Sequence, residues 1–160
     1  AFDLHPNQEL VEAGIEYEGL DELLSASDIV TLHVPLLEQT RKLINRERLE
    51  TMKSGCLLIN TSRGELIETG AVIDALKSGK LGGLGIDVYE GEEGIFFEDL
   101  SNAIVADDQL MRLTTFPNVI LSSHQAFFTR EAMQNIVAAT IENLTAFEEK
   151  GSSPNEVKAD

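Results

Sequence analysis

Cys56-Leu57-Leu58-Ile59-Asn60-Thr61-Ser62-Arg63-Gly64 passes from a continuous apolar run straight into a polar turn. An apolar run without alternation reads as a strand buried on both faces, the kind found in a parallel sheet covered by helices. Working outward, comparable runs stand at Ala1–Leu4, Ile29–Val34, Leu84–Val88 and Val119–Ser122, with a shorter one at Ile15–Tyr17. Helical patterns fall between them. Residues 8–13 and 20–25 read as short helices, and Arg46–Met52 as another that ends near Ser54-Gly55. Thr69 is placed to cap the next, with Val72, Ile73 and Leu76 as its apolar stripe and Gly79 just past its end. The last helix opens on Thr129 and carries Met133, Ile136, Val137, Thr140, Ile141, Leu144 and Phe147 on one face. Gly151-Ser152-Ser153-Pro154 ends it. Strand–helix alternation at this spacing predicts an α/β fold with a doubly wound parallel sheet. Gly91–Leu110 is the one long irregular stretch.

The chain has 160 residues, the size of one ordinary domain. Its net charge of −16 argues against a nucleic-acid or anionic-membrane surface, since a phosphate array would be repelled. No apolar run approaches the roughly 20 residues of a membrane span, and the N-terminus lacks a signal-peptide pattern. A single cysteine, Cys56, can close no internal disulfide and build no zinc site. It reads as a small core residue, and a cytoplasmic location fits. Ala1-Phe2-Asp3 opens with no lead-in, as though a strand had been entered midway, and the expectation is a piece of a longer protein.

In a doubly wound sheet, ligands bind beyond the carboxyl ends of the strands. The polar residues expected there are Asp3, His33 with Pro35, Thr61-Ser62-Arg63, Asp87 and His124. Asp3 is either an acceptor for ribose hydroxyls or a turn aspartate before Pro6. Arg63 is either a two-pronged carboxylate binder or a surface residue paired with Glu65 or Glu68. Gly64 is expected to permit a sharp turn there. Glu90 and Glu93 read as solvated loop acids. Gly83-Leu84-Gly85-Ile86-Asp87-Val88 begins like a dinucleotide fingerprint, but Val88 replaces the third glycine and the stretch reads as strand. The fingerprint normally lies about 20 residues before the ribose acid, which would put it ahead of residue 1. The sheet is therefore expected to lack its first βα unit.

Leu32-His33-Val34-Pro35-Leu36, Asn60-Thr61-Ser62-Arg63-Gly64, Gly85-Ile86-Asp87-Val88-Tyr89-Glu90-Gly91-Glu92 and His124-Gln125-Ala126-Phe127 follow a known order and spacing. By them the sequence resembles the D-isomer-specific 2-hydroxyacid dehydrogenases; within that family His124-Gln125-Ala126-Phe127 and the long loop with Gly94-Ile95-Phe96-Phe97-Glu98-Asp99 resemble the bacterial fermentative D-lactate dehydrogenases. The resemblance implies a Rossmann-like sheet, with residues 1–128 a partial NAD-binding domain. Residues 129–160 would be a C-terminal helix and tail that pack on a substrate domain outside this chain. It implies Arg63 as substrate-carboxylate anchor, His124 as general acid/base and Glu92 as its partner. Asp3 would hold the adenosine ribose and favour NAD over NADP. Val34, Pro35, Thr40, Thr61, Ser62 and Asp87 would line the cofactor, and Phe127 would touch the substrate. Phe128 stands where many relatives carry Tyr. The implied partner is a small 2-hydroxy or 2-oxo acid, with no metal, and a homodimer is the common assembly. The rival expectation is an inactive nucleotide-domain fragment or a dinucleotide-sensing interaction module. The identity of the acid is not legible, since the missing domain would read its side chain.

Overall fold

Four strands, β1 (Ile29–Leu32), β2 (Cys56–Asn60), β3 (Leu81–Ile86) and β4 (Val119–Leu121), form one sheet in the order β1-β2-β3-β4. Every neighbouring pair is parallel. This computed structural model describes residues 1–158. It comprises two compact units, Ala1–His124 and the segment from Gln125 onward.

In the first unit the helices are α1 (Gln8–Glu12), α2 (Leu20–Ala26), α3 (Arg46–Thr51), α4 (Thr69–Ser78) and α5 (Asp108–Thr114). Val30, Leu32, Leu58, Leu84 and Ile86 share one buried cluster with Leu24 of α2, Leu49 of α3, Val72 and Leu76 of α4, and Leu110 and Leu113 of α5. Side chains alternate across a strand, so the register sends Ile29, Leu57 and Gly83 to the opposite face, with Thr31, Ile59, Gly85 and Ile120 beside them. On that face Ile29 is 59% exposed, Leu57 41% and Ile120 74%. The first unit therefore buries one face of its sheet under helices and leaves the other apolar face open.

Two expected strands are absent. Ala1–Leu4 and Ile15–Tyr17 form no ladder. The Ala1 amine donates to the Glu16 carbonyl and the Glu18 N–H to the Ala1 carbonyl, at 2.9 Å for the latter. One residue pinned to two is a clasp, and the turn at Asp3–Pro6 leads the chain away before a ladder can grow. The end of the expected irregular stretch is helical: the Asp107 carboxylate accepts from the Leu110 N–H at 2.8 Å and starts α5, whose Leu110 and Leu113 are buried. Thr69 is the first residue of α4 and not its cap, because its N–H and hydroxyl both turn to Glu90 from another loop. Gly79 closes α4 at φ 75°, a left-handed conformation that favours glycine.

The second unit is built on α6 (Arg130–Lys150), which opens with the Thr129 hydroxyl accepting from the Ala132 N–H at 3.2 Å. Ser153 and Asn155 fold back on Asn143, at 2.9 Å each. None of the helix residues is buried. Among the described residues, no helix is long and apolar enough to cross a membrane.

Candidate active site at the strand ends

β2 ends on Asn60, a polar side chain with no exposed surface. Its carboxamide donates to the Arg63 carbonyl at 2.8 Å and accepts from the Ser62 N–H at 3.1 Å. Both amide ends are satisfied, as burial demands, and the turn Thr61–Arg63 is wrapped round one side chain. Ser62 adds a tie, its hydroxyl donating to the Val34 carbonyl beyond β1 at 2.7 Å. Gly64 follows, with no left-handed angle. Its need for glycine is proximity: a Cβ here would lie 2.1 Å from the Tyr89 carbonyl carbon and 2.3 Å from the Glu90 nitrogen. The expected role of Gly64 in a sharp turn is thus corrected to one of close approach. It lets the loop after β2 press against the loop after β3.

Arg63, Gly64, Leu36 and the segment Tyr89–Glu93 line an open cleft of about 510 Å³. Glu65, which also lines it, pairs with Arg41 at 2.6 Å, and Glu68 accepts from the Arg46 N–H at 3.3 Å. The surface-pair reading of Arg63 therefore fails: among the described residues no carboxylate forms an ion pair with it. Its guanidinium is tethered to the Ser62 carbonyl at 2.7 Å and exposed. Glu90 is not a purely solvated acid, since it accepts from the buried Thr69 hydroxyl at 2.8 Å.

Glu92 is held by the Tyr89 N–H, which donates to Oε2 at 2.9 Å. Its Oε1 lies 3.9 Å from His124 Nε2, within ion-pair range and beyond a hydrogen bond. Tyr89 donates its hydroxyl to both oxygens of Asp107, at 2.9 and 2.8 Å. Burial, and then the neighbouring carboxylate, push its phenol far above the ordinary range, so it remains a proton donor. His124 sits just past β4 with its N–H donating to the Asp87 carbonyl. Ser123 and His124 have φ of 51° and 61°, a left-handed pair of non-glycine residues. Such strain collects at functional sites, where the surroundings hold it in place.

The remaining expected residues fall into three groups. Asp87, at the end of β3, is nearly buried and accepts from the Ser122 hydroxyl at 2.6 Å. Val34, Pro35 and Thr61 lie just past β1 and β2, and the Thr40 hydroxyl donates to the Pro35 carbonyl at 2.7 Å and braces that loop. These strand-end groups suit one end of a dinucleotide: an exposed rim and a fixed carboxylate able to accept from an amide. Gly83 and Gly85 lie inside β3, so that motif is strand and no phosphate loop. Asp3 departs from expectation, since no strand precedes it and its carboxylate accepts from the His5 N–H at 2.8 Å, a turn. Phe127 belongs to the second unit, edge-on to Phe128 at 6.0 Å between ring centres. Among the described residues no group of His, Cys, Asp or Glu is arranged to hold a metal ion.

Sequence reasoning assigned no site role to Asn60, Ser122 or Phe97, the last with its ring centre 5.7 Å from that of His124. Asn60 had a signal, an amide at an inward strand position beside a turn. Phe97 had a weaker one, an adjacent pair of aromatics in an acidic loop. Taken together, a cation and an imidazole–carboxylate pair border one region, which equips it to fix an anionic acid and move a proton.

Residues 1–126 match the D-isomer specific 2-hydroxyacid dehydrogenase NAD binding domain. The chain is 52% identical over 155 residues to 2-hydroxyacid dehydrogenase A of Aspergillus oryzae, covering 97% of this chain and 44% of that protein. It is 45% identical over 157 residues to D-lactate dehydrogenase of Escherichia coli K12, covering 98% of this chain and 48% of that one. The crystal structure of D-lactate dehydrogenase with NAD+ from Lactobacillus jensenii superposes with a TM-score of 0.87 at 31% identity, over 99% of this chain and 47% of the other. The chain thus spans about half the length of the relatives it matches.

Proposed function

The chain belongs to the D-isomer specific 2-hydroxyacid dehydrogenase family, and on that premise we propose that it carries the NAD-binding and proton-transferring half of an enzyme interconverting pyruvate and D-lactate. The observation that carries the reading is the cleft. Arg63 lines it without a carboxylate partner among the described residues, and Glu92, which also lines it, stands 3.9 Å from His124.

NAD is the cofactor, and when bound its nicotinamide exchanges a hydride with C2 of the acid. The residues of this chain do the rest. Val34, Pro35, Thr40, Thr61, Ser62 and Asp87 are the groups for the nicotinamide end, with Asp87 offering an acceptor for its amide. Ser62 and Thr40 act there by bracing the loops, since their hydroxyls are engaged with the Val34 and Pro35 carbonyls. Arg63 binds the substrate carboxylate through its planar fork and so turns C2 to one side. In reduction, protonated His124 donates a ring proton to the carbonyl oxygen; in oxidation, neutral His124 removes the hydroxyl proton. Glu92 places a carboxylate beside the imidazole, 3.9 Å from Nε2. Asp3, seated in a turn, keeps acceptor capacity for a ribose hydroxyl, since its carboxylate takes one bond from the His5 N–H. Phe127 is the residue proposed to meet the substrate.

The test is pyruvate-dependent oxidation of NADH by the protein expressed at the full length its gene encodes. Formation of D-lactate, abolished by His124→Gln, is the expected result. Tight NAD binding without turnover on any short 2-oxo acid would overturn it and favour the dinucleotide-sensing module.

A further inference from the structure

We propose that Phe97 is a positioning residue for His124, its ring packing across the imidazole and fixing the orientation in which Nε2 faces Glu92. The inference builds on the function proposed above.

The backbone of His124 is fixed by its N–H bond to the Asp87 carbonyl and by its left-handed angle. The ring is not fixed by those. Glu92, at 3.9 Å, lies beyond hydrogen-bond reach of Nε2, so the carboxylate alone leaves the imidazole free to turn. The ring of Phe97 has its centre 5.7 Å from the imidazole centre with the planes inclined at 53°. That is a tilted contact of the kind aromatic pairs prefer.

The local sequence explains how Phe97 reaches this position. The N–H groups of Ile95 and Phe96 both donate to the Glu92 carbonyl, at 3.1 and 3.0 Å, so the chain winds back on the residue that faces His124. Phe96 turns inward and meets Tyr89 at 6.3 Å between ring centres, packed against the core. Phe97 is left 67% exposed. An exposed phenylalanine gains little for the fold, and the ring of Phe97 meets the imidazole. Glu92 and Phe97 are thus presented to His124 by one short winding of chain.

The experiment has two arms. In the 160-residue chain, the carbon-bound protons of the three histidine rings are followed by NMR, with the rate at which each ring is carbethoxylated. Phe97→Leu is expected to move the His124 signals and speed its modification, with His5 and His33 unchanged. Phe97→Tyr keeps the parent behaviour. In the protein at the full length its gene encodes, Phe97→Leu is expected to lower kcat about three- to tenfold, the size of one aromatic contact, with KM for pyruvate and for NADH unchanged. Phe97→Tyr restores kcat. Unmoved His124 signals overturn the proposal, as does a parental kcat in Phe97→Leu. An effect confined to KM also overturns it, making Phe97 a substrate contact. If the unmodified protein reduces no 2-oxo acid, the functional reading fails by itself, and the NMR and modification arm still decides whether Phe97 orders the ring. Because Phe97 is exposed, a fold-wide loss is not expected, and an unchanged denaturation midpoint checks this.

Discussion

Two loops border the cleft, and they are built on opposite principles. The turn Asn60–Gly64 is short and held at nearly every residue: one buried amide grips Ser62 and Arg63, Ser62 ties to Val34, and Gly64 is wedged against Tyr89-Glu90. The stretch from Glu90 to Asp107 is long, acidic and mostly exposed, and is fastened at its ends by Thr69–Glu90 and Tyr89–Asp107. The cation that would receive an anionic acid thus rides on the stiff wall. The carboxylate and the ring that face His124 ride on the tethered one. A guanidinium must hold a planar geometry to bind a carboxylate twice, so it benefits from a rigid mount. A carboxylate that acts on the imidazole through its charge tolerates a looser distance, such as the 3.9 Å between Glu92 and His124.

The largest effect expected from breaking the contrast is at the wedge. Gly64→Ala forces a Cβ into the Tyr89 backbone, which cannot swing aside as a side chain would. A loss of about 3 kcal/mol in denaturant unfolding is expected. Gly94→Ala, on the loose wall, has φ 73° and open space around its Cβ, and should cost about 1 kcal/mol from the backbone angle alone. Equal losses would mean that the two walls are alike. Next in size is Asn60→Ala, which strands the Ser62 N–H and the Arg63 carbonyl: about 2 kcal/mol of stability, with a fall in kcat/KM as the Arg63 turn loosens. Unchanged kcat/KM at lowered stability would separate the mount from the chemistry.

The stiff wall was also the more legible one. Four apolar residues followed by Asn-Thr-Ser-Arg-Gly announce a strand and a polar turn, and β2 lies where that pattern puts it, although it is buried on one face and not on both. Arg63 was legible as a cation at a strand end, although its freedom from Glu65 was not, because Arg41 comes from a distant part of the chain. On the loose wall, no period distinguishes Glu92 from Glu90 or Glu93; the resemblance alone singled out Glu92, and the fold shows that Glu90 meets Thr69. The α5 helix was missed there because Asp107 reads as one more loop acid until Leu110 and Leu113 are seen to be buried three apart. The failed strand at Ala1–Leu4 had the composition of a strand without a partner to pair with. Composition cannot supply that partner, and Asp3 lost its expected strand-end setting with it.

A smaller expected effect, and one confined to activity, is that of Arg63→Lys. The charge stays and the planar fork goes. In the protein at the length its gene encodes, kcat/KM for pyruvate should fall about tenfold or more, with the unfolding midpoint unmoved, since Arg63 contributes only an exposed tether to the Ser62 carbonyl. Equal kinetics for Arg and Lys would deny the stiff wall its purpose.

The smallest effect distinguishes neighbours on the tethered wall. Glu90 and Glu93 both line the cleft and are both exposed, so charge and exposure predict the same outcome for each. Hydrogen bonding does not. Glu90 accepts from the hydroxyl of Thr69, which is buried and has this carboxylate as its partner, and lies 3.3 Å from the Thr69 N–H at the start of α4. Removing that acceptor leaves a buried hydroxyl unpaired and a helix start without its negative charge. Glu90→Ala should therefore cost about 1 kcal/mol, a fall of about 2–4 °C in Tm for a chain of this size. Glu93→Ala should stay within about 0.5 kcal/mol of the parent. If the two variants melt together, the tether at Glu90 is not holding the loop. Glu92 would then have to owe its place to the Tyr89 N–H and the Tyr89–Asp107 bond, which Tyr89→Phe removes while leaving the N–H intact.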